Sequence, residues 1–452
     1  MSSKGSRGFG GKGPQMAAND GVATPATMRR IAIASVTGTV IEYYDFLIYG
    51  TAAALVFGET FFPALGTAAG TVAAFATLGV AFVARPFGAI LFGHFGDRLG
   101  RKKTLVTTLV MMGAATVLVG LMPTAEQIGV AAPILLVALR ILQGIAIGGE
   151  WTGATLLAAE NAPKAKRGFW SMFPSLGGGI ALSLASATFL ITGLGMSEEA
   201  FASYGWRIPF IASFVLVAIG LYVRLKIDET PVFKGELAKG GASPVPFVEA
   251  VKLQPREAIF ASGVPVMVFA FFYLAASYLT SYGTSTLGLE RTNVLAIGIL
   301  VGVVFAGATL LGAVYSDRIG RRQVIVQANI AAVLWALVLF PILNIGSIVA
   351  FAIGACGTMF IAGIAYGPVG AFLPELFQTR YRYTAAGFSY NIAGVLGGAI
   401  PPLVAAAITA AFGGFAFGVF LAAFCLISLV CTLALRETRD DDMDRATARA
   451  NA

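Results

Sequence analysis

Glu42, Asp45, Arg85, Arg140, Gln143 and Glu150 are ionisable or amide side chains set inside or at the edge of runs that are otherwise apolar. A charge at the centre of a bilayer costs about 2.5–3.5 kcal/mol on insertion scales, so such residues pair with one another and mark functional sites. Carboxylates and guanidiniums together support two kinds of chemistry. A carboxylate beside an arginine stays ionised; when the pair parts or dries out, it takes up a proton. An arginine can instead hold the carboxylate of another molecule through two parallel hydrogen bonds. Asp45 and Glu42, with Arg140 as the cation that holds the carboxylate charged, are therefore the candidates for proton coupling, and Arg85 and Arg140 for binding an anion. A permanent salt bridge that only fixes helix register is the structural alternative.

Spacing sharpens these assignments. Glu42, Asp45 and Tyr49 stand at i, i+3 and i+7, one face of a helix. Gln143 and Glu150 share a face of a later helix, with Arg140 one turn before Gln143. At 1.5 Å rise per residue, Asp45 lies roughly 21 Å and Arg140 roughly 24 Å from the same end of the bundle. Glu42 lies roughly 16 Å in and Arg85 roughly 10 Å. The counting predicts an Asp45–Arg140 ion pair and places Arg85 nearer Glu42 or Glu150.

The elements that hold these residues must be membrane helices. The chain has 452 residues, of which 57% are hydrophobic and 12% charged, against roughly 25% charged in soluble domains. Its mean hydropathy is +0.81. Apolar runs of about 20 residues span the hydrocarbon core as helix. Of the 31 Lys and Arg, Arg85 and Arg140 lie inside apolar runs and Arg207 and Arg291 in alternate loops. All the others fall on one side when the runs are threaded in and out. That asymmetry predicts cytoplasmic termini and a cell-membrane location, with contact to lipid and no nucleic-acid partner. Cys356, Cys425 and Cys431 have no metal-ligand spacing, and no nucleophile, nucleotide cradle or cofactor motif stands out. The reading is of a protein that is no enzyme, with no metal and no cofactor beyond a proton gradient as its energy source. His94, the single histidine, reads as a loop packing residue.

Twelve spans are predicted: 31–56, 68–92, 104–122, 132–158, 168–193, 206–226, 258–284, 294–314, 324–343, 347–373, 384–411 and 414–436. Residues 1–30 read as a disordered cytoplasmic tail. A bundle over 31–226 is joined by a polar, proline-bearing cytoplasmic loop (227–257) to a second over 258–436, followed by a tail over 437–452. The two halves echo each other. Gly96-Asp97-Arg98-Leu99-Gly100-Arg101 recurs as Ser316-Asp317-Arg318-Ile319-Gly320-Arg321, each placed in the second interhelical loop of its half. Glu160 followed by Arg167 recurs as Glu375 followed by Arg382 with the same internal spacing. Duplicated helix bundles are how many secondary transporters are built.

The chain resembles the major facilitator superfamily, and within it the metabolite:proton symporters that include shikimate, 2-oxoglutarate, citrate and proline/betaine carriers. The resemblance rests on Glu42-Tyr43-Tyr44-Asp45-Phe46, Arg85-Pro86-Phe87-Gly88, Arg140-Ile141-Leu142-Gln143-Gly144, Gly149-Glu150-Trp151, Gly205-Trp206-Arg207-Ile208-Pro209-Phe210 and Glu229-Thr230-Pro231-Val232-Phe233. It implies an all-α integral membrane protein of the major facilitator fold, with two pseudo-symmetric six-helix bundles. It also implies proton symport of a small polar metabolite, an organic acid of shikimate-like or dicarboxylate type, by a monomer. A zwitterionic osmolyte as substrate and proton-antiport efflux are the alternatives. Substrate contacts would come from Tyr49, Arg85, Arg140, Gln143, Glu150, Ser175, Tyr273 and Asn391. Ser175 and Asn391 stand where such carriers often have glutamine, which shortens two polar side chains. Gating would fall to Asp97, Arg98, Arg101, Glu160, Arg167, Asp317, Arg318, Arg321, Glu375 and Arg382, with Asp97 meeting the start of the eleventh helix.

Overall fold

The computed structural model describes residues 25–99, 101–148, 150–226, 246–378 and 381–441; the side chains of 68, 93–99, 101–105, 223, 224, 226, 246 and 247 lie outside that description. Several sequence readings therefore fall beyond it. These are the disordered tail as far as residue 24, the loop over 227–245, residues 442–452, and the side chains of His94, Asp97, Arg98 and Arg101.

Among the described residues there is no strand. The first half contains α1 (Pro25–Phe61), α2 (Gly66–Leu99), α3 (Arg101–Leu121), α4 (Ala131–Asn161), α5 (Lys164–Gly193) and α6 (Arg207–Lys226). A short helix, Pro246–Leu253, lies in the connection that reads as loop. The second half contains α7 (Pro255–Thr286), α8 (Arg291–Ile319), α9 (Arg321–Leu343) and α10 (Ile348–Leu376). Arg382–Ala434 is continuous helix except at Gly413, whose φ of 82° folds it into α11 (382–412) and α12 (414–434). An L side chain is strained at that φ, so glycine is the residue that permits the reversal.

One expectation needs correction. The second Asp-Arg-x-Gly-Arg element is not a loop, because α8 runs through Asp317 and Arg318 to Ile319 and α9 opens at Arg321. The whole connection is Gly320, at φ 115°. A single glycine suffices because only glycine adopts that conformation without strain.

Small residues bring the backbones together, as in membrane helix pairs generally. On α2 and α4, Gly88 faces the Ile145 carbonyl, Gly144 the Ala81 carbonyl and Gly148 the Arg85 carbonyl. On α8 and α10 the equivalent contacts are Gly312 with the Ile364 carbonyl and Gly367 with the Thr309 carbonyl. Each half thus packs its second helix on its fourth by the same device. Across the halves, Gly179 of α5 meets Gly302 of α8. Helices α1, α7 and α11 each contain π-helical turns, at Ala53–Phe57, Leu274–Tyr278 and Tyr282–Thr286, and Gly394–Ala399. Such turns bend a helix and cluster where function needs an altered side-chain direction.

Candidate functional site

The intramembrane charges gather at mid-depth between α1, α2, α3 and α4. Asp45 and Arg140 are 1% and 0% exposed, yet they do not form the direct pair that helical counting predicts. Arg140 Nη1 donates to Gln143 Oε1 (2.6 Å), and Gln143 Nε2 donates to Thr116 Oγ1 (2.8 Å). The Thr116 hydroxyl lies 3.0 Å from both Asp45 Oδ2 and the Met112 carbonyl, and its proton serves one or the other. The arginine and the carboxylate are therefore linked through an amide and a hydroxyl. Depth counting could not see Thr116, because nothing in a helical repeat says which residue of a third helix intervenes.

Aromatic faces supply what acceptors do not. The Arg140 guanidinium lies 3.8 Å from the Tyr49 ring centroid and 4.5 Å from that of Phe46. Arg85 lies 4.5 Å from both Phe46 and Phe82. Desolvated cation–π contacts of this kind contribute about 2 kcal/mol, which offsets part of the cost of burying two cations. Glu42, one of the two carboxylates expected near Arg85, is buried on α1 with Phe46. Tyr49 itself is tied to Thr77 at 2.5 Å and serves as a wall of the cluster.

Beside this cluster, between the halves, is a cavity with room for about one water molecule (about 10 Å³). Its lining includes Tyr43, Phe269, Phe272, Tyr273, Phe305 and Tyr366. At its wall three phenols meet: Tyr43 with Tyr366 at 2.9 Å, Tyr43 with Tyr390 at 2.6 Å, and Tyr366 with Tyr390 at 2.6 Å. Tyr390 stacks on Trp151 of α4 at 3.6 Å. Of the remaining candidates, Tyr273 borders the cavity, whereas Ser175 is buried in α5 and Glu150 in α4. Asn391 donates to the Gly148 carbonyl (2.9 Å), tying α11 to α4. Tyr278 and Tyr282 are engaged within the second half, with Thr409 and Asn344. Sequence reading passed over Thr116, Tyr366 and the triad. The one available signal was a tyrosine amid the apolar residues of α10.

The end of the bundle that carries the repeated basic motif is clasped shut. Asp317 Oδ1 and Oδ2 accept the backbone N–H groups of Gly168 and Phe169, each at 2.9 Å, where α5 begins. That is where a helix favours negative charge. Arg321 holds Asp317 at 2.8 Å one turn on. Arg167 pairs with Glu375 at 3.0 Å and Glu160 with Arg382 at 3.4 Å, both across the halves. Arg318 accepts from Arg439 through its carbonyl. Glu375 further accepts from Thr438 (2.6 Å), and Glu437 accepts the N–H groups of Arg321 and Arg322, so residues 437 and 438 lie against this clasp. At the far end, Arg291 pairs with Glu198 at 2.7 Å and lies 3.8 Å from the Phe201 ring centroid.

Two helix bundles clasped at both ends around a small aromatic-lined cavity with buried charges beside it have one evident use, the passage of a solute by opening one end at a time. The protein is a membrane transporter. It belongs to the Major Facilitator Superfamily, whose family model matches residues 36–402. Over 93% of its length it is 41% identical to the inner membrane metabolite transport protein YhjE of Escherichia coli K12, covering 97% of that protein. It is 39% identical to the shikimate transporter of the same organism, again over 93% of this chain and 97% of the relative. It is 30% identical to the proline/betaine transporter of Salmonella typhimurium, over 94% of this chain and 86% of that one. Among solved structures, the proton:xylose symporter XylE bound to 6-bromo-6-deoxy-D-glucose superposes with a TM-score of 0.74 at 18% identity, over 94% of this chain and 99% of that one. That likeness shows the twelve-helix fold.

Proposed function

We propose that the protein is a proton symporter of a small organic acid in the inner membrane, functional as a monomer, with its basic end and both termini in the cytoplasm. The observation that carries the reading is Asp45, a buried carboxylate at mid-depth joined through Thr116 and Gln143 to Arg140. A carboxylate so held changes protonation when its partners or its access to water change. Opening one end of the bundle and then the other does both. Arg85 and Arg140, each 4.5 Å from the ring of Phe46, which packs on Tyr273 of the cavity wall, are the groups to take the substrate carboxylate. Asp317, Arg321, Arg167, Glu375, Glu160 and Arg382 hold the cytoplasmic end closed. By the repeat, Asp97, Arg98 and Arg101 do the same at α11.

The test is uptake into proteoliposomes. Wild type should accumulate an organic acid when the outside is acidified, with proton uptake on substrate addition. Asp45→Asn should lose accumulation while retaining counterflow, since exchange needs no net proton release. Concentrative uptake by Asp45→Asn would move the coupling proton to Glu42. Uptake of betaine and of no organic acid would assign the substrate to the zwitterionic class.

A further inference from the structure

We propose that Tyr43, Tyr366 and Tyr390 form a hydroxyl-reading subsite, and that the organic acid carried is a polyhydroxylated monocarboxylate whose carboxylate is taken at Arg85. The proposal rests on the organic-acid reading above and deepens it.

Each phenol can donate one hydrogen bond and accept others. In the closed state the three oxygens, 2.6–2.9 Å apart, satisfy one another in a ring. All three residues are buried, at 6%, 3% and 3% exposure. Tyr43 stands on α1, whereas Tyr366 and Tyr390 stand on α10 and α11, so the ring spans the two halves. Tyr43 and Tyr366 also line the cavity. At about 10 Å³ that cavity admits no metabolite, and enlarging it by parting the halves breaks the ring. Three phenols parted in a dry site would be left unpaired, which is costly. Substrate hydroxyls inserted between them restore every bond, because a hydroxyl both donates and accepts. Apolar substrates of the same shape restore none.

A second observation places the anion. The Arg85 guanidinium lies 4.5 Å from the Phe46 and Phe82 rings, and Phe82 packs 4.7 Å from Tyr273, which lines the same cavity as Tyr43 and Tyr366. The Arg85 Nε–H is buried without a hydrogen-bond partner among the described residues, as are Nε and Nη2 of Arg140. Buried donors of this kind are expensive unless a ligand engages them. The site therefore offers guanidinium on one side and phenols on the other, which fits a carboxylate and a set of hydroxyls on one small ring.

The experiment compares shikimate with cyclohex-1-enecarboxylate, the same ring and carboxylate without hydroxyls, in purified full-length protein reconstituted in proteoliposomes. Wild type should take up shikimate with a half-saturation at least tenfold below that of the deoxy acid. Tyr366→Phe and Tyr390→Phe should each raise the shikimate value about tenfold, one lost hydrogen bond, and leave the deoxy value within twofold. Arg85→Gln should weaken both acids together. If the phenylalanine variants shift both acids equally, or neither, the phenols are packing residues and the subsite is refuted. If wild type transports no organic acid at all, the function proposed above fails, and the subsite with it. Tyrosine to phenylalanine keeps the stacking on Trp151 and the ring volume, and Tyr43→Phe is a third, independent removal of one ring member.

Discussion

Replacing Asp317 by asparagine should loosen the basic end of the bundle without touching the cavity. Both carboxylate oxygens of Asp317 accept backbone N–H groups of the other half, at 2.9 Å each, and Oδ1 also meets Arg321 at 2.8 Å. Asparagine keeps one acceptor oxygen and loses the charge. One bond to a charged acceptor contributes about 1.5–3 kcal/mol, and negative charge at a helix start about 0.3–1 kcal/mol. The side chain is 11% exposed, and Arg321 keeps Glu375 within 3.6 Å, so the lower part of the range applies. A loss of about 2–3 kcal/mol changes the ratio of closed to open basic end by roughly 30- to 150-fold. Gly168→Ala should act in the same direction by another route, since a Cβ there would sit 2.8 Å from Asp317 Oδ1 and 3.0 Å from the Ala313 carbonyl. The assay is a spin-label distance between Ala165 and Gln323, exposed positions at the basic ends of the two halves. Both variants should populate a longer distance and slow uptake. A distribution identical to wild type in both would refute the clasp.

Arg140→Lys should reduce uptake at least about thirtyfold, because an ammonium cannot both stack on Tyr49 and donate to Gln143 as the planar guanidinium does; initial rates with matched protein amounts decide it. Glu198→Gln should change uptake less than about fivefold, since that side chain is 81% exposed and exposed pairs contribute about 0–1 kcal/mol. Arg291→Ala, which also removes the Phe201 contact, should have the larger effect, and the reverse order would show that charge and not stacking closes the far end. Gly144→Val should fail to yield monodisperse protein on size exclusion, because its Cβ would collide with the Ala81 backbone, which cannot move aside as a side chain would.

The spans, the duplication and the clustering of buried charge were legible because each is a property of one helix or of a repeat. Apolar length reports a membrane helix wherever it occurs, and the second Asp-Arg-x-Gly-Arg element announces itself by comparison with the first. The extent of α8 was misread for a related reason. Charge in Asp317-Arg318 suggests a loop, yet the backbone stays helical until glycine at 320 releases it. What the tertiary structure alone decided is which side chains from different helices fill the space between charges at one depth. Asp45 and Arg140 lie at the same level, but Thr116 and Gln143 stand between them, a fact of the rotation of α3 and α4 about their own axes. Tyr366 shows the limit most plainly. On α10 it is one aromatic among apolar neighbours, and it becomes part of a polar ring only because Tyr43 and Tyr390 arrive from 323 positions before and 24 after it. A hydrophobic pattern records how much of a helix is buried, whereas hydrogen bonds between helices depend on packing that no single helix contains.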